Sequence, residues 1–443
     1  MISNLAQKKF HISNFYVINL LISKTIYNAS FLQPFYHHDK FIMMINGQIK
    51  SVFAGLSIFD KLLPLLILLA MILGILLSVY VPNSRTALNQ STIINVSIPL
   101  AVGLIIMMVP PLTKVEWENC HKYFNKNWYL KPILFSLVLN WILCPLLMFG
   151  LAWLTLFDLP QYRTGIIMIG LARCIAMVLL WNDLAQGDNN LCAIIVLINS
   201  LLQVVLYAPY QVFFCYIITG DPIQHQSVYL EVAKSVGFFL GIPLGLGIII
   251  RFIFLYFVGR TKFESKYLPF ISPWALIALL YTIIVIFMEK GNDFVKEIGS
   301  GLRCFVPLVL YFVITWFGTF FGLRYLSRFN IFTKPKPNFN SSNDKLDLFK
   351  PGNHLYPSYP EITTQAFTAA SNNFELSLAI AISIYGSGSK QAIAAVFGPL
   401  LEVPILLVLT FLSRYFRIRL TWYDIDTNGN DIVFEVDPTE TLS

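Results

Sequence analysis

The stretch ASNNFELSLAIAISIYGSGSK, residues 370–390, decides how this chain is read. Most of it is apolar enough for a membrane helix. Yet it opens on two amides, Asn372 and Asn373, and a carboxylate, Glu375. Backbone leaves helical geometry at membrane depth only where it is buried in protein or lines a cavity. The amides can supply the hydrogen bonds such a break leaves unmade, which places Glu375 at the start of a half-helix. A carboxylate inside a span is a functional group by default, commonly a proton or cation relay. Its plain structural reading is a carboxylate paired with an internal cation.

The surrounding composition agrees. Of 443 residues 56% are hydrophobic and 12% charged, against about 25% charged in soluble domains. Mean hydropathy is +0.66. This is an all-α polytopic membrane protein, and the net charge of +7 reflects basic cytoplasmic loops rather than nucleic-acid binding. The cysteines, Cys120, Cys144, Cys174, Cys192, Cys215 and Cys304, form no C-x-x-C pair, so neither a disulfide framework nor a zinc site is indicated. No histidine falls within an apolar span, which speaks against a haem or di-iron membrane enzyme. No cofactor is indicated.

A crossing helix needs about 20 residues. Ten windows qualify, at 59–81, 92–112, 131–156, 164–184, 190–219, 231–257, 267–288, 299–325, 362–386 and 390–413. Lys and Arg concentrate in the loops after the second, sixth and eighth windows and at the start of the tail. Both termini are therefore expected in the cytoplasm. Residues 1–58 read as a disordered extension, with Met43 or Met44 as alternative starts. Residues 327–360, rich in Pro, Asn, Ser and Lys, read as a flexible cytosolic loop, and 414–443 as a loose cytoplasmic tail.

Ten windows divide into two sets of five, 59–219 and 231–413, which then run in opposite directions, the plan of inverted-repeat transporters. The fourth and ninth windows are the interrupted pair. Aligning Cys174 with Glu375 also aligns Gly187 with Gly388. A lone cysteine in a span is usually an inert small side chain; beside a break it meets exposed N–H groups that favour thiolate. Arg173 and Arg303 read as intramembrane cations, with Glu375 and Glu402 as their candidate partners. Asn140 and Asn199 read either as packing glue or as cavity lining.

ARCIAMVLLWNDLAQGDNN (172–190) and SNNFELSLAIAISIYGSGSKQAIAAVFGPLLEVPILL (371–407) resemble the signatures of arsenite efflux permeases. These form the arsenical-resistance branch of the bile acid/sodium symporter superfamily. VSIPLAVGLIIMMVPPL and EVAKSVGFFLGIPLGLGIIIR add to the likeness, particularly to fungal members, over about residues 58–415. The resemblance implies ten spans in two inverted five-helix repeats, with the fourth and ninth helices broken and crossing. It implies proton-driven efflux of arsenite, and more weakly antimonite, across the plasma membrane, with the vacuolar membrane as the alternative. It places the functional cysteine on Cys174, as a candidate arsenic(III) ligand, and the functional, proton-coupling glutamate on Glu375. Arg173, Trp181, Asn140, Asn199 and Asn373 match positions around that site. One departure is the absence of a cysteine after the double proline, where this chain has Leu112 and Thr113. A sodium-coupled organic-anion symporter on the same fold is the competing reading, and a non-transporting receptor or enzyme the third.

Overall fold

Among the described residues every apolar window carries helix. The structure, a computed structural model, describes residues 58–81, 91–94, 96–119, 130–175, 177–219, 225–296, 298–327, 358–386, 388–420, 422–425 and 431–434. All of these fall within one unit, Val52–Glu435. The N-terminal extension and nearly all of the loop 327–360 lie outside the described residues.

In chain order the helices are α1 (Ile58–Tyr80), α2 (Ile98–Lys114), α3 (Lys131–Thr155), α4 (Pro160–Leu171) and α5 (Met177–Leu184). Then come α6 (Asn189–Ile217), α7 (Tyr229–Val258), α8 (Arg260–Met288) and α9 (Gly299–Leu326). The last are α10 (Tyr359–Ala370), α11 (Phe374–Tyr385) and α12 (Lys390–Arg419). Six of them, α3, α6, α7, α8, α9 and α12, are long and apolar enough to cross a membrane. Single π-helical turns interrupt α3 at Leu139–Leu143, α6 at Phe213–Ile217, α7 at Gly237–Gly241 and α8 at Phe263–Tyr267.

The second helix begins later than its apolar window. Residues 92–97 form a short antiparallel hairpin, β1 (Thr92–Ile93) with β2 (Val96–Ser97). Pro99 then takes a first-turn position of α2, where its missing N–H costs nothing. The tail also departs from expectation. Instead of being wholly irregular, it carries a second hairpin, β3 (Trp422–Ile425) with β4 (Asp431–Phe434). Trp422 anchors it, buried against Phe320 and Tyr359 and under the Arg324 guanidinium.

Helices α1, α2, α7 and α8 pack chiefly on one another: α8 lies along α1 and α2, and α7 along α2. Their outward faces are rows of large apolar side chains, such as Leu65, Leu68, Leu69, Leu73 and Leu76 on α1 and Ile249, Phe252, Ile253 and Phe257 on α7. Such continuous apolar surface suits lipid and not water. This is a multi-pass membrane protein.

The other helices gather around α4, α5, α10 and α11. Helix α12 lies against α4 and α11, α9 against α10, and α3 against α4. Nearly every side chain of α10 and α11 is buried. A segment buried on all sides shows no amphipathic stripe, and its polar groups must be satisfied by protein or by cargo. At Gly165 on α4 a methyl group would stand 2.6 Å from the Gln391 carbonyl oxygen. Glycine there lets α4 and α12 touch backbone to backbone, the small-residue packing of membrane helices.

Candidate functional site: the crossing of two broken helices

The fourth window is two helices. Helix α4 ends at Leu171, Ala172 is extended, and α5 starts at Met177. The ninth is likewise two: α10 ends at Ala370, Ser371 is extended, and α11 starts at Phe374. The extended segments run antiparallel and pair as an isolated bridge between Arg173 and Asn372. The Asn373 N–H donates to the Ala172 carbonyl at 3.1 Å. The Arg173 N–H donates to Gln203 Oε1 at 3.0 Å. Buried backbone polar groups need such partners; here one comes from the other break and one from Gln203 of α6.

Ser371, Asn372 and Asn373 favour a break locally, since their side chains compete for backbone bonds. Asn373 caps α11, accepting the Leu376 N–H at 3.0 Å. Nothing in Ala172-Arg173-Cys174 breaks a helix by propensity, so that interruption is imposed by the crossing. On the far side of α5, Thr364 of α10 donates its hydroxyl to Asn182 Oδ1 at 2.7 Å, and Asn182 donates to Asn189 Oδ1 at 2.8 Å. These bonds fix α5 to α10 beyond the break.

Cys174 lies in the break, 4% exposed, with its thiol beside the Ser371 hydroxyl and the Val178 N–H of α5. Ser371 donates its hydroxyl to the Glu402 carboxylate of α12, which also faces the Asn372 N–H. Glu375 is the second residue of α11, half-buried. No other side chain among the described residues hydrogen-bonds its carboxylate. Glu375 and Glu402 lie within electrostatic range of each other and of the Cys174 thiol. Among the described residues no cluster of three His, Cys, Asp or Glu forms a metal-binding group.

The remaining candidates are placed as follows. The Arg173 guanidinium turns away from Cys174, donating to Tyr311 Oη at 3.1 Å, to Asn372 Oδ1 at 2.6 Å and to the Gly170 carbonyl. Asn140, in the π-helical turn of α3, donates to the Ser136 carbonyl at 2.9 Å. Asn199 accepts the Trp141 indole N–H at 3.0 Å, so this amide joins α6 to α3. Trp181 is buried on α5. Asn140 Oδ1, Arg173 Nε, Trp181 Nε1, Asn372 Nδ2 and Asn373 Nδ2 are buried without a protein partner. Atoms of this kind occur elsewhere among the described residues as well, at Ser78, Ser97, Gln211 and Trp316 for example, so they do not by themselves mark a site; those of Asn372 and Asn373 are the ones carried by the break.

Two expected pairings are overturned. Arg173 meets neutral oxygens, and neither Glu375 nor Glu402 is its ion-pair partner. Arg303 pairs with neither Glu375 nor Glu402: it forms a two-pronged pair with Asp158, at 2.6 and 2.7 Å, with both side chains about 40% exposed. Those bonds hold the Asp158 carboxyl below its usual range. Arg303 sits at the very start of α9, and its length lets it reach the segment before α4. Tyr311, Gln203 and Ser371 are site residues that sequence reasoning passed over. A tyrosine at the middle of a long, mainly apolar helix, Gly299–Leu326, was the available signal for the first.

Residues 101–297 match the model of the Sodium Bile acid symporter family. The chain is 38% identical over 382 residues to the arsenical-resistance protein Acr3 of Corynebacterium glutamicum, a match that covers 85% of this chain and 95% of that protein. The chain belongs to the arsenical-resistance branch of the sodium bile acid symporter family. It is also 31% identical over 386 residues to an uncharacterised transporter of Synechocystis, covering 82% of this chain and 91% of that one. The Acr3 protein of Alkaliphilus metalliredigens is 26% identical over 373 residues, 82% of this chain and 94% of the relative. This branch of the family is one of membrane transporters, and the crossing is the place in this member where polar groups converge.

Proposed function

We propose that this transporter extrudes arsenite, and more weakly antimonite, from the cytosol in exchange for protons. The observation that carries the reading is the crossing itself. It gathers a soft sulfur, Cys174, and two carboxylates, Glu375 and Glu402, where the half-helices α5 and α11 begin, with the Cys192 thiol of α6 within electrostatic range of Cys174.

Arsenite at neutral pH is largely uncharged arsenous acid, a compact trihydroxide with a soft As(III) centre. Thiolates suit soft centres. Three would hold arsenic too tightly for a carrier. One sulfur contact, with amide and hydroxyl groups meeting the hydroxyl oxygens, gives binding that can exchange. The unpartnered amides of Asn372 and Asn373 are the groups of the right kind.

Glu375 is the proton-coupling residue. Arsenite engages Cys174 from the cytosol while Glu375 gives up its proton inward. The carrier rocks outward, and protonation of Glu375 from outside promotes release. Proton and cargo exclude one another, which makes the cycle an antiport. The same reading takes the chain as ten spans in two inverted repeats, with both termini cytoplasmic and the carrier in the plasma membrane. The opposed half-helix pairs α4/α5 and α10/α11 support that plan.

The test is arsenite accumulation in everted vesicles carrying this protein, with an imposed pH gradient and no sodium. Uptake that needs an acidic interior and disappears in Glu375→Gln is expected. Uptake only with sodium, or full activity in Glu375→Gln, would overturn the reading.

A further inference from the structure

Two half-helices end at the crossing, α4 at Leu171 and α10 at Ala370. A helix C-terminus carries partial negative charge and unmade carbonyls. Both ends turn this potential on one place. Gly170 O, from the last turn of α4, accepts from the Arg173 guanidinium. Ala369 O, from the last turn of α10, accepts from Tyr311 Oη at 3.0 Å, and Tyr311 Oη in turn accepts from Arg173 at 3.1 Å. Asn372 Oδ1, from the unwound segment, completes the set at 2.6 Å. In carriers built from interrupted helices, half-helix C-termini and unwound carbonyls of this kind hold the coupling cation.

Here the oxygens surround a side chain. Arg173 is 0% exposed and makes no ion pair among the described residues. An isolated buried charge is costly unless fixed dipoles replace its water. Neutral oxygens, the adjoining Cys144 thiol and two helix ends do so here, which is the chemistry of an ion seat rather than of a salt bridge.

We propose that the Arg173 guanidinium is a built-in cation, filling the seat that the two half-helix C-termini create and leaving no seat there for sodium. The inference deepens the proton-coupled reading and rests on it for the choice of coupling ion. The negative ends of α4 and α10 stay neutralised by the chain itself throughout the cycle. Coupling therefore falls to the opposite ends of the crossing, where α5 and α11 begin and where Cys174 and Glu375 lie. The sodium-coupled alternative lacks an ion position at the place where this fold would provide one.

The seat can be tested without arsenite. Thermal unfolding of the purified full chain is followed in sodium, potassium and choline chloride at matched ionic strength. The native protein and Arg173→Lys are expected to unfold at the same temperature in all three salts. Arg173→Ala is expected to unfold lower, and to regain about 2 °C or more as sodium or millimolar guanidinium is added, but not choline. A sodium-specific rise in the native protein would overturn the proposal. So would an Arg173→Ala protein that neither sodium nor guanidinium stabilises. Where Arg173→Ala cannot be purified, the native and Arg173→Lys measurements decide: a sodium-specific rise in either overturns the proposal, and its absence in both supports it. Failure of acid-driven arsenite uptake in vesicles would strike the transport reading alone and leave these melting results standing.

Discussion

Asn373 donates its backbone N–H to the carbonyl of Ala172, 3.1 Å away across the crossing. The ninth-window break thus satisfies a carbonyl that the fourth-window break leaves open, and the Arg173 side chain bonds Asn372 Oδ1 in return. Membrane-buried backbone has no water to fall back on, so the two breaks form one cooperative element.

The first prediction concerns the cap on that element. Asn373 Oδ1 accepts the Leu376 N–H at the start of α11. Asn373→Ala should remove the cap and cost about 1 kcal/mol, with Glu375 displaced and arsenite uptake reduced. Asn373→Asp keeps an acceptor and should keep most of the stability. Thermal unfolding of the two variants side by side checks this; equal midpoints for Ala and Asp would show that the cap carries no weight.

The second prediction concerns Gly187, between α5 and α6. A Cβ here would meet Asn182 Oδ1 at 2.0 Å and Thr364 Oγ1 at 2.8 Å. The loop cannot retreat, because the Gly187 N–H donates to the Asn182 carbonyl and the next residue, Asp188, donates to the Pro360 carbonyl. Gly187→Ala must therefore push out the Asn182 side chain and leave buried acceptors and donors unmade. A loss of about 1–3 kcal/mol is expected, read as a lower midpoint and poor yield. A Gly187→Ala protein as stable as the native one would contradict this packing.

Much of this was legible from residues. Apolar windows marked the helices because lipid demands long uncharged runs. The amides at 372 and 373 marked one break because their side chains compete with the helix ladder. The matching break at Ala172–Cys174 had no local signal, and only its correspondence with the other half pointed there. The partners of Arg173 were misread because sequence offers carboxylates as the obvious answer to a cation, while helix termini become visible only once their directions are known. Arg251, inside the sixth window, was counted with the basic loop after it but is buried on α7, where its fork holds Glu118. The hairpin after α12 did carry a sign, Asn428-Gly429 between alternating residues, hidden by the acidic character of the tail.

The third prediction follows from that Arg251 fork. Arg251 donates to both oxygens of Glu118, at 2.7 and 2.6 Å, and to the Thr113 and Lys114 carbonyls at 3.2 Å, closing the end of α2 against α7. Burial pushes the Glu118 carboxyl up, but the bonds from Arg251 outweigh it and hold the group below its ordinary 4.5. A lowered carboxyl contributes stability above its unfolded value and loses it as pH falls through the folded one. Glu118→Gln should thus cost about 2 kcal/mol at pH 7, with the difference shrinking below about pH 4.5. Asp158→Asn, which breaks the exposed pair with Arg303, should change little. Unfolding midpoints across pH 3–7 separate the two cases, and a pH-independent cost for Glu118→Gln would show that shape rather than charge matters there.

The last prediction separates the sulfurs. The described cysteines are all buried and unpaired with one another, so burial does not distinguish them. Their surroundings do. The Cys144 thiol faces the Ala369 carbonyl at 3.5 Å, beside Tyr311 and Arg173. The Cys192 thiol faces the Val178 carbonyl at 4.0 Å, and Cys304 precedes the main run of α9 beside Arg303. Cys174 alone lies in a break, next to Ser371 and the start of α5. Cys174→Ser replaces a soft ligand by a hard one of nearly the same size and should abolish arsenite uptake without lowering the unfolding midpoint. Cys192→Ala, Cys215→Ala and Cys304→Ala should each keep uptake. If folded Cys192→Ala also lost uptake, arsenic would be held by two sulfurs, one from the break and one from α6, and the single-thiol account of exchangeable binding would have to be abandoned.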